Sequence, residues 1–240
     1  MIKTETHFHA FGGSDCADGN NQTAVDKYLQ KGYGAIVATT HYSKYAYDNY
    51  PQKNHKEKID YFFKVYDDFA SLANKNSIKT FFGAEIRCAD CNTEFSVIGF
   101  DREFLYNNPP LFNLTQEQLF LLCEKNGFFM YQTHPFRTGV IAGNPKFLHG
   151  AESYNGHFVY EGGNDLADKW CDENNLIKMS GTDYHHDYQP ITAGIYIPFD
   201  IENEKQLARF LLKGNLHLIK DEGLRRCEYV KYYQREDYLK

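Results

Sequence analysis

No stretch of the 240-residue chain approaches the roughly 20 consecutive apolar residues that span a bilayer, and no basic start followed by an apolar run opens it. The expectation is a cytoplasmic chain with no membrane partner. Positive charge is also short: 26 Lys and Arg face 32 Asp and Glu, for a net charge of -6. That balance argues against broad electrostatic binding to nucleic acid, but bound cations can invert a local potential and admit an anionic substrate. No Gly-rich phosphate fingerprint follows the first strand, and there is no internal repeat, linker or low-complexity segment. The six cysteines read as thiols rather than disulfides in such a compartment. Cys88-Ala89-Asp90-Cys91 has the spacing of a redox pair or of half a zinc site, without a second CxxC or thioredoxin-like surroundings.

What is present is ordinary for a soluble globular domain: 42% hydrophobic and 24% charged residues. The length fits one domain over residues 1–240, with 215–240 as a peripheral extension. The 19 Tyr and 19 Phe read as core and pocket lining. Residues 1–5 are a short strand, 10–21 a loop by composition, and 23–31 a helix stopped by Gly32. Residues 35–40 have the short apolar run of a strand buried on both faces. The longest helical pattern covers 53–76, where Ile59, Phe62, Phe63, Tyr66, Phe69, Ala70 and Ala73 return to one face. Strands follow at 80–86 and 95–100, with 101–110 a connection. Thr115 caps a helix over 116–126 that Gly127 stops. Then come strand 128–133, loop 139–146, strand 150–154, helix 164–175, strands 177–182 and 193–197, and helix 202–213. Such alternation predicts a parallel sheet with helical crossovers, and a closed or nearly closed β/α barrel rather than a doubly wound sheet.

Barrels of this kind keep their chemistry at the C-terminal ends of the strands. Those ends here carry His7 and His9, His41, Glu85, His134, and Asp183 with His185. His7 and His9 are two apart, so both imidazoles face one side of a strand, and two neutral imidazoles suit a borderline divalent metal. Asp183 and His185 repeat the spacing. Glu85 ends an aromatic strand, where a carboxylate is costly to bury unless a metal or Arg87 neutralises it. Pro135 pushes His134 toward extended backbone. Singly, each residue has a bland reading, a turn histidine or a surface ion pair. Five histidines and two carboxylates at successive strand ends point instead to a metal site. His55, His149, His157, His186 and His217 lack that placement and read as surface or packing residues.

Taken in order, Thr6-His7-Phe8-His9 followed by Ser14-Asp15-Cys16, Thr39-Thr40-His41-Tyr42-Ser43, Gly83-Ala84-Glu85, Thr133-His134-Pro135-Phe136-Arg137 and Gly181-Thr182-Asp183-Tyr184-His185 resemble the PHP (polymerase and histidinol phosphatase) superfamily. The resemblance runs from about residue 5 to residue 195. It implies a distorted (β/α)7 barrel of the PHP type, two or three divalent metal ions (zinc, manganese or iron) and phosphoester hydrolysis. It further implies that His7 and His9 hold one ion with Glu85 and Asp183, and that Glu85 bridges to a second held by His134. His41 and His185 would hold a third, completed by Asp15 or by its neighbour Cys16. Two positions depart from the pattern. Ser96 stands where many members place a histidine on the strand after the glutamate, and Thr40 where they carry an aspartate that can orient the next histidine.

The substrate this implies is a small phosphomonoester of the histidinol-phosphate or nucleotide kind. Arg137 would clamp the phosphate with its planar fork, beside Asp183, while His185 or a metal-bound water would protonate the leaving group. Tyr42, Lys44 and Tyr45 would shape the entrance. Three rivals stand beside this reading. A phosphotyrosine phosphatase of the same superfamily would have an open, shallow site. An amidohydrolase-type enzyme normally offers a carboxylated lysine, and no lysine stands at a strand end. A non-catalytic metal-binding PHP domain would bind a partner without turnover.

Overall fold

The computed structural model describes residues 1–13, 16–157 and 162–221. Along the chain these form β1 (Ile2–Phe8), α1 (Asn21–Gln30), β2 (Ala35–Ala38), α2 (Lys44–Asn49), α3 (His55–Lys75), β3 (Lys79–Arg87), β4 (Glu94–Ile98) and α4 (Arg102–Tyr106). They continue with α5 (Gln116–Asn126), β5 (Phe129–Gln132), β6 (Gly150–Asn155), α6 (Asn164–Glu173), β7 (Ile177–Gly181), β8 (Ala193–Ile197), α7 (Glu204–Leu211) and β9 (His217–Lys220). The boundaries of α5 follow from its caps. Thr115 accepts the backbone N–H of Gln118, the Gln118 side chain returns the bond, and Gly127 turns the chain away at φ +69°. Two short helices, α2 and α4, were not expected; Asp101 starts α4 by accepting the Phe104 N–H at 2.9 Å.

The described strands make one nine-stranded sheet in the order β7-β6-β5-β4-β3-β2-β1-β8-β9. β1, β2 and β3 are parallel, as are β5, β6 and β7. β4 runs antiparallel to both β3 and β5, β8 to β1, and β9 to β8. The expected parallel sheet is thus interrupted by the antiparallel strands β4, β8 and β9. Only residues 88–93 separate β3 from β4, too few for the crossover of a dozen or more residues that a parallel pair needs. The sheet is nearly closed, as expected, although its nine strands do not establish a count of seven β/α units. β9 adds an edge strand to the sheet, and the rest of the tail, 222–240, lies outside the described residues.

Hydroxyls and a carboxylate stitch the remaining seam between β7 and the β1/β8 edge. Thr6 Oγ1 donates to the Ser180 carbonyl at 2.7 Å and Ser180 Oγ to the Ile219 carbonyl at 2.6 Å. Thr182 Oγ1 donates to Ala193 O and accepts from Ala193 N, both at 3.3 Å. Beyond β7, His9 N donates to Tyr184 O and Tyr184 N to His7 O. Buried Glu5 Oε1 accepts the N–H groups of Thr6, His7 and Thr182, and Tyr28 donates its hydroxyl to Oε2.

Alternation along β1 separates the two sides of the wall. Phe8 leaves the barrel and stacks on Phe69 of α3 with ring centroids 4.6 Å apart, among Tyr28 and Tyr184. His7 and His9 face the other way. An inner apolar cluster of Val37, Phe81, Ile98, Phe129, Met179 and Ile195 fills the barrel, with Leu207 and Leu211 of α7 packed against it. The polar groups are thereby confined to the opposite rim. No helix among the described residues is long and apolar enough to cross a membrane.

Candidate metal centre

At that rim the residues singled out by strand position converge. His7, His9, Glu85, His134 and Asp183 are buried, His185 nearly so, and His41 is partly exposed. The Nε2 atoms of His7 and His9 lie 3.1 Å apart. His7 Nε2 is 3.4 Å from both Glu85 Oε1 and Asp183 Oδ1, and His9 Nε2 is 3.5 Å from Glu85 Oε2 and Asp183 Oδ1. His134 Nε2 is 3.3 Å from Glu85 Oε1, and His41 Nδ1 is 3.0 Å from Glu85 Oε2. Potential ligand atoms group as His7, His9 and Glu85; His7, His134 and Asp183; and His9, His41 and His185. His9 thus stands between the first ion position implied by the resemblance and the pair His41/His185.

Backbone geometry brings two of these side chains in. Asp183 has φ +56° and His134 φ +32°. The second value corrects the extended backbone expected before Pro135. The His134 N–H is taken by Glu152 Oε2 at 2.8 Å, and its carbonyl accepts the Arg137 N–H, which closes a tight turn. Positive φ at such residues stores strain of about 1–3 kcal/mol, which surrounding bonds must hold in place. Gln189, fully buried, does so for the last loop: its amide donates to the carbonyls of Thr182 and Asp183 and accepts the His185 N–H at 2.8 Å.

Three contributors were not anticipated. Glu152 on β6 is completely buried and accepts from His7 Nδ1 at 2.8 Å, which turns His7 Nε2 toward the centre, the nitrogen that would offer its lone pair once its proton is displaced. Glu94 approaches His41 Nδ1 at 3.8 Å and His134 Nε2 at 3.7 Å. His157, read from the sequence as a surface or packing residue, is buried in the cleft wall and groups with Asp183 and His185. His186 also lines the cleft, His55 and His149 are engaged in packing contacts, and His217 is exposed. Asp15 lies outside the described residues. Its neighbour Cys16 lines the cleft with His41 and His185.

Electrostatics follow from this crowding. Burial lowers the His7 imidazolium, but Glu152, Asp183 and Glu85 together hold it well above its ordinary pKa. Burial, with His185 and His41 adding to it, holds His9 well below its own. Burial also opposes charge on His185, yet Asp183 and Cys16 push it up to about 10. The Glu85 and Asp183 carboxyls would rise on burial; His7 and His41 hold the first well below the usual carboxylate range, His7 and His185 the second. Burial raises the Cys16 thiol, and hydrogen bonds with His185 and His41 bring it down to about 6. Burial takes His157 to about 3.

A divalent metal fits these residues. His9 Nδ1, Glu85 Oε2, His134 Nδ1 and Asp183 Oδ1 are buried without a hydrogen bond among the described residues, an exceptional concentration of unpaired polar atoms. Metal–ligand bonds of about 2.0–2.2 Å place tetrahedral ligand atoms roughly 3.4 Å apart, close to the spacings above. The five described cysteines form no disulfide with one another, and Cys88 sits in the wall of a larger cavity beside the centre.

No protein-family model matches the chain, and no curated protein matches its sequence. Solved structures match its shape. A two-domain protein from Bacteroides vulgatus containing a predicted PHP-like metal-dependent phosphoesterase aligns over 92% of this chain with a TM-score of 0.60 at 21% identity. The chain has the PHP-type fold. It spans 65% of the length of that two-domain protein. PsfC from Pseudomonas syringae aligns over 97% of both chains with a TM-score of 0.62 at 16% identity. The lesion-specific endonuclease EndoQ from Pyrococcus furiosus matches 90% of this chain over 57% of its own, with a TM-score of 0.57 at 12% identity. The PHP-type barrel therefore accounts for the architecture.

Proposed function

We propose that the chain is a metal-dependent phosphoesterase acting on a small organic phosphomonoester. The observation that carries this is the buried cluster of imidazoles and carboxylates with unpaired Glu85 and Asp183 oxygens, set beside a guanidinium at the mouth of a cleft. His7, His9, Glu85, His134 and Asp183 would hold one or two divalent ions, with His41 and His185 at a further position. Zinc, manganese and iron suit this mix of nitrogen and oxygen donors. Bound there, such ions supply Lewis acidity toward phosphoryl oxygens and ionise water at neutral pH.

The chain's own residues do the rest. Arg137 has NH1 3.6 Å from Asp183 Oδ2 and NH2 3.7 Å from Glu94 Oε2, so its fork is positioned at the rim where a phosphate would enter. Glu152 fixes the His7 tautomer. His157, kept neutral by burial, can donate a hydrogen bond to substrate or to the leaving oxygen.

Size supports a small ester. The cleft over the cluster is about 280 Å³, room for a phosphoryl group. It shares Cys16, His41, Arg87 and Glu94 with an adjoining cavity of about 800 Å³ whose walls include Tyr45, Tyr50, Tyr61 and Phe112. That cavity would take the leaving group, and its volume is in the range of small-molecule sites. A net charge of -6 gives no general attraction for a nucleic-acid substrate. Hydrolysis of an aryl phosphate by chelator-stripped protein reloaded with manganese or zinc tests the proposal. Metal-dependent turnover is expected; no turnover with any added metal, in a protein shown to be folded and to bind metal, would leave a non-catalytic binding domain instead.

A further inference from the structure

Glu94 opens β4, and because β4 runs antiparallel to β3, that end lies at the same rim as the C-terminal ends of the parallel strands. Arg87 and Glu94 are partners across the ladder, as are Glu85 and Ser96. Alternation therefore puts all four side chains on the cleft face. Glu94 is buried, and both of its oxygens have polar neighbours. Oε1 accepts from Arg87 NH2 at 2.7 Å and lies 3.8 Å from His41 Nδ1. Oε2 lies 3.7 Å from His134 Nε2 and 3.7 Å from Arg137 NH2, beyond hydrogen-bonding reach.

Ligand atoms of His41, Glu85 and Glu94 fall within 4.8 Å of one another. Glu85 Oε2, 3.0 Å from His41 Nδ1, is the buried oxygen with no hydrogen bond. Thr133 bonds Glu85 Oε1 and the neighbouring histidines offset its charge, but two carboxylates facing one another still repel, and a cation between them relieves that repulsion. Arg87 is bonded to Glu94 at 2.7 Å, so its charge serves that carboxylate rather than the gap between the two.

We propose that Glu94 is a metal ligand, forming with His41 and Glu85 a cation position of one imidazole and two carboxylates. Ser96, two residues on, stands where the resemblance places a histidine; Glu94 reaches into the cleft from the same strand face. Its carboxylate makes this position harder than a histidine would, which narrows the advantage zinc has over manganese and iron(II) at a nitrogen-rich site. The inference rests on the metal-dependent reading above.

The test counts metal rather than turnover. Wild type, Glu94→Gln and Arg87→Ala are stripped with chelator and dialysed to equilibrium against Mn²⁺, and bound manganese is measured by elemental analysis, with circular dichroism to confirm folding. Loss of a group that only supports a ligand weakens binding 10–100-fold, so loss of a direct ligand should exceed that. Glu94→Gln is expected to bind one equivalent fewer than wild type, or to hold it at least about 100-fold more weakly, while Arg87→Ala keeps the full count. If Glu94→Gln does not fold, Glu94→Asp is expected to weaken the same equivalent. Wild-type count and affinity in the Glu94 variant would overturn the proposal. So would loss of the same equivalent in Arg87→Ala, which would assign the effect to the ion pair. Wild type that binds no metal would overturn both this inference and the phosphoesterase reading, whereas metal binding unaffected at position 94 overturns this inference alone.

Discussion

Glu152 couples two of the proposed ligands, His7 and His134, through one side chain. Its Oε1 accepts a hydrogen bond from His7 Nδ1, and its Oε2 accepts from the His134 N–H and the Asn155 amide. Replacing it with glutamine removes the charge and presents an N–H where His7 needs an acceptor, so the His7 proton moves toward Nε2 and blocks the lone pair. Metal affinity of Glu152→Gln, read by calorimetric titration, is expected to fall 10–100-fold; an unchanged affinity would show that Glu152 does not set the tautomer. Gly181 protects the same bond. A methyl group there would sit 2.5 Å from His7 Cβ and 2.7 Å from Glu152 Oε1. Gly181→Ala is expected to cost about 1–3 kcal/mol by overpacking, measured by denaturant unfolding, and to weaken metal binding alongside. At this scale the strand-end rule brought His7, His9, His41, Glu85, His134, Asp183 and His185 together on one rim, because parallel strands all present that end. It passed over Glu152, which sits mid-strand, and His157, which follows β6 by two residues. It also missed Glu94, which reaches the rim from the N-terminal end of an antiparallel strand.

Element positions were legible where local chemistry sets them. Thr115 and Gly127 bound α5 through bonds within a few residues, and the apolar stripe of α3 buries Ile59, Phe62, Phe63, Phe69, Ala70 and Ala73. Strand direction was not legible from alternation, since it depends on where a chain returns; only the short span between β3 and β4 carried the signal for that pair. The barrel seam is likewise a long-range feature, made by Thr6, Ser180 and Thr182 against distant carbonyls. Thr182→Val keeps the shape and removes the hydroxyl that bonds both the N–H and the C=O of Ala193. Its loss is expected to cost about 1–3 kcal/mol, because the buried Ala193 N–H loses this acceptor, while Tyr33 still donates to the carbonyl at 2.7 Å. Thermal unfolding would register this as a lower Tm, and an unchanged Tm would mean that water or a rotated side chain replaces the bond.

Across the whole molecule, the metal-free centre balances its carboxylates with protons. His185 is pushed up to about 10 and His7 is raised well above its usual value, while Glu85 and Asp183 stay ionised far down the acid range. The signs then follow. A histidine with a raised folded-state pKa stabilises the metal-free fold fully below its unfolded pKa of about 6.5 and loses that contribution as pH rises through the folded value. Metal binding runs the other way, because an ion must displace those protons from the ligand nitrogens. Apparent affinity should therefore rise with pH across neutrality, with protons released on loading. Calorimetric titrations of Mn²⁺ at pH 6.5 and 8, each in two buffers of different ionisation enthalpy, would read both quantities. The expectation is tighter binding at pH 8 and net proton release at either pH. Equal affinity at both values, with no proton released, would show that His7 and His185 are already neutral in the metal-free chain and that the carboxylates find their counter-charge elsewhere, Arg137 being the nearest guanidinium to Asp183.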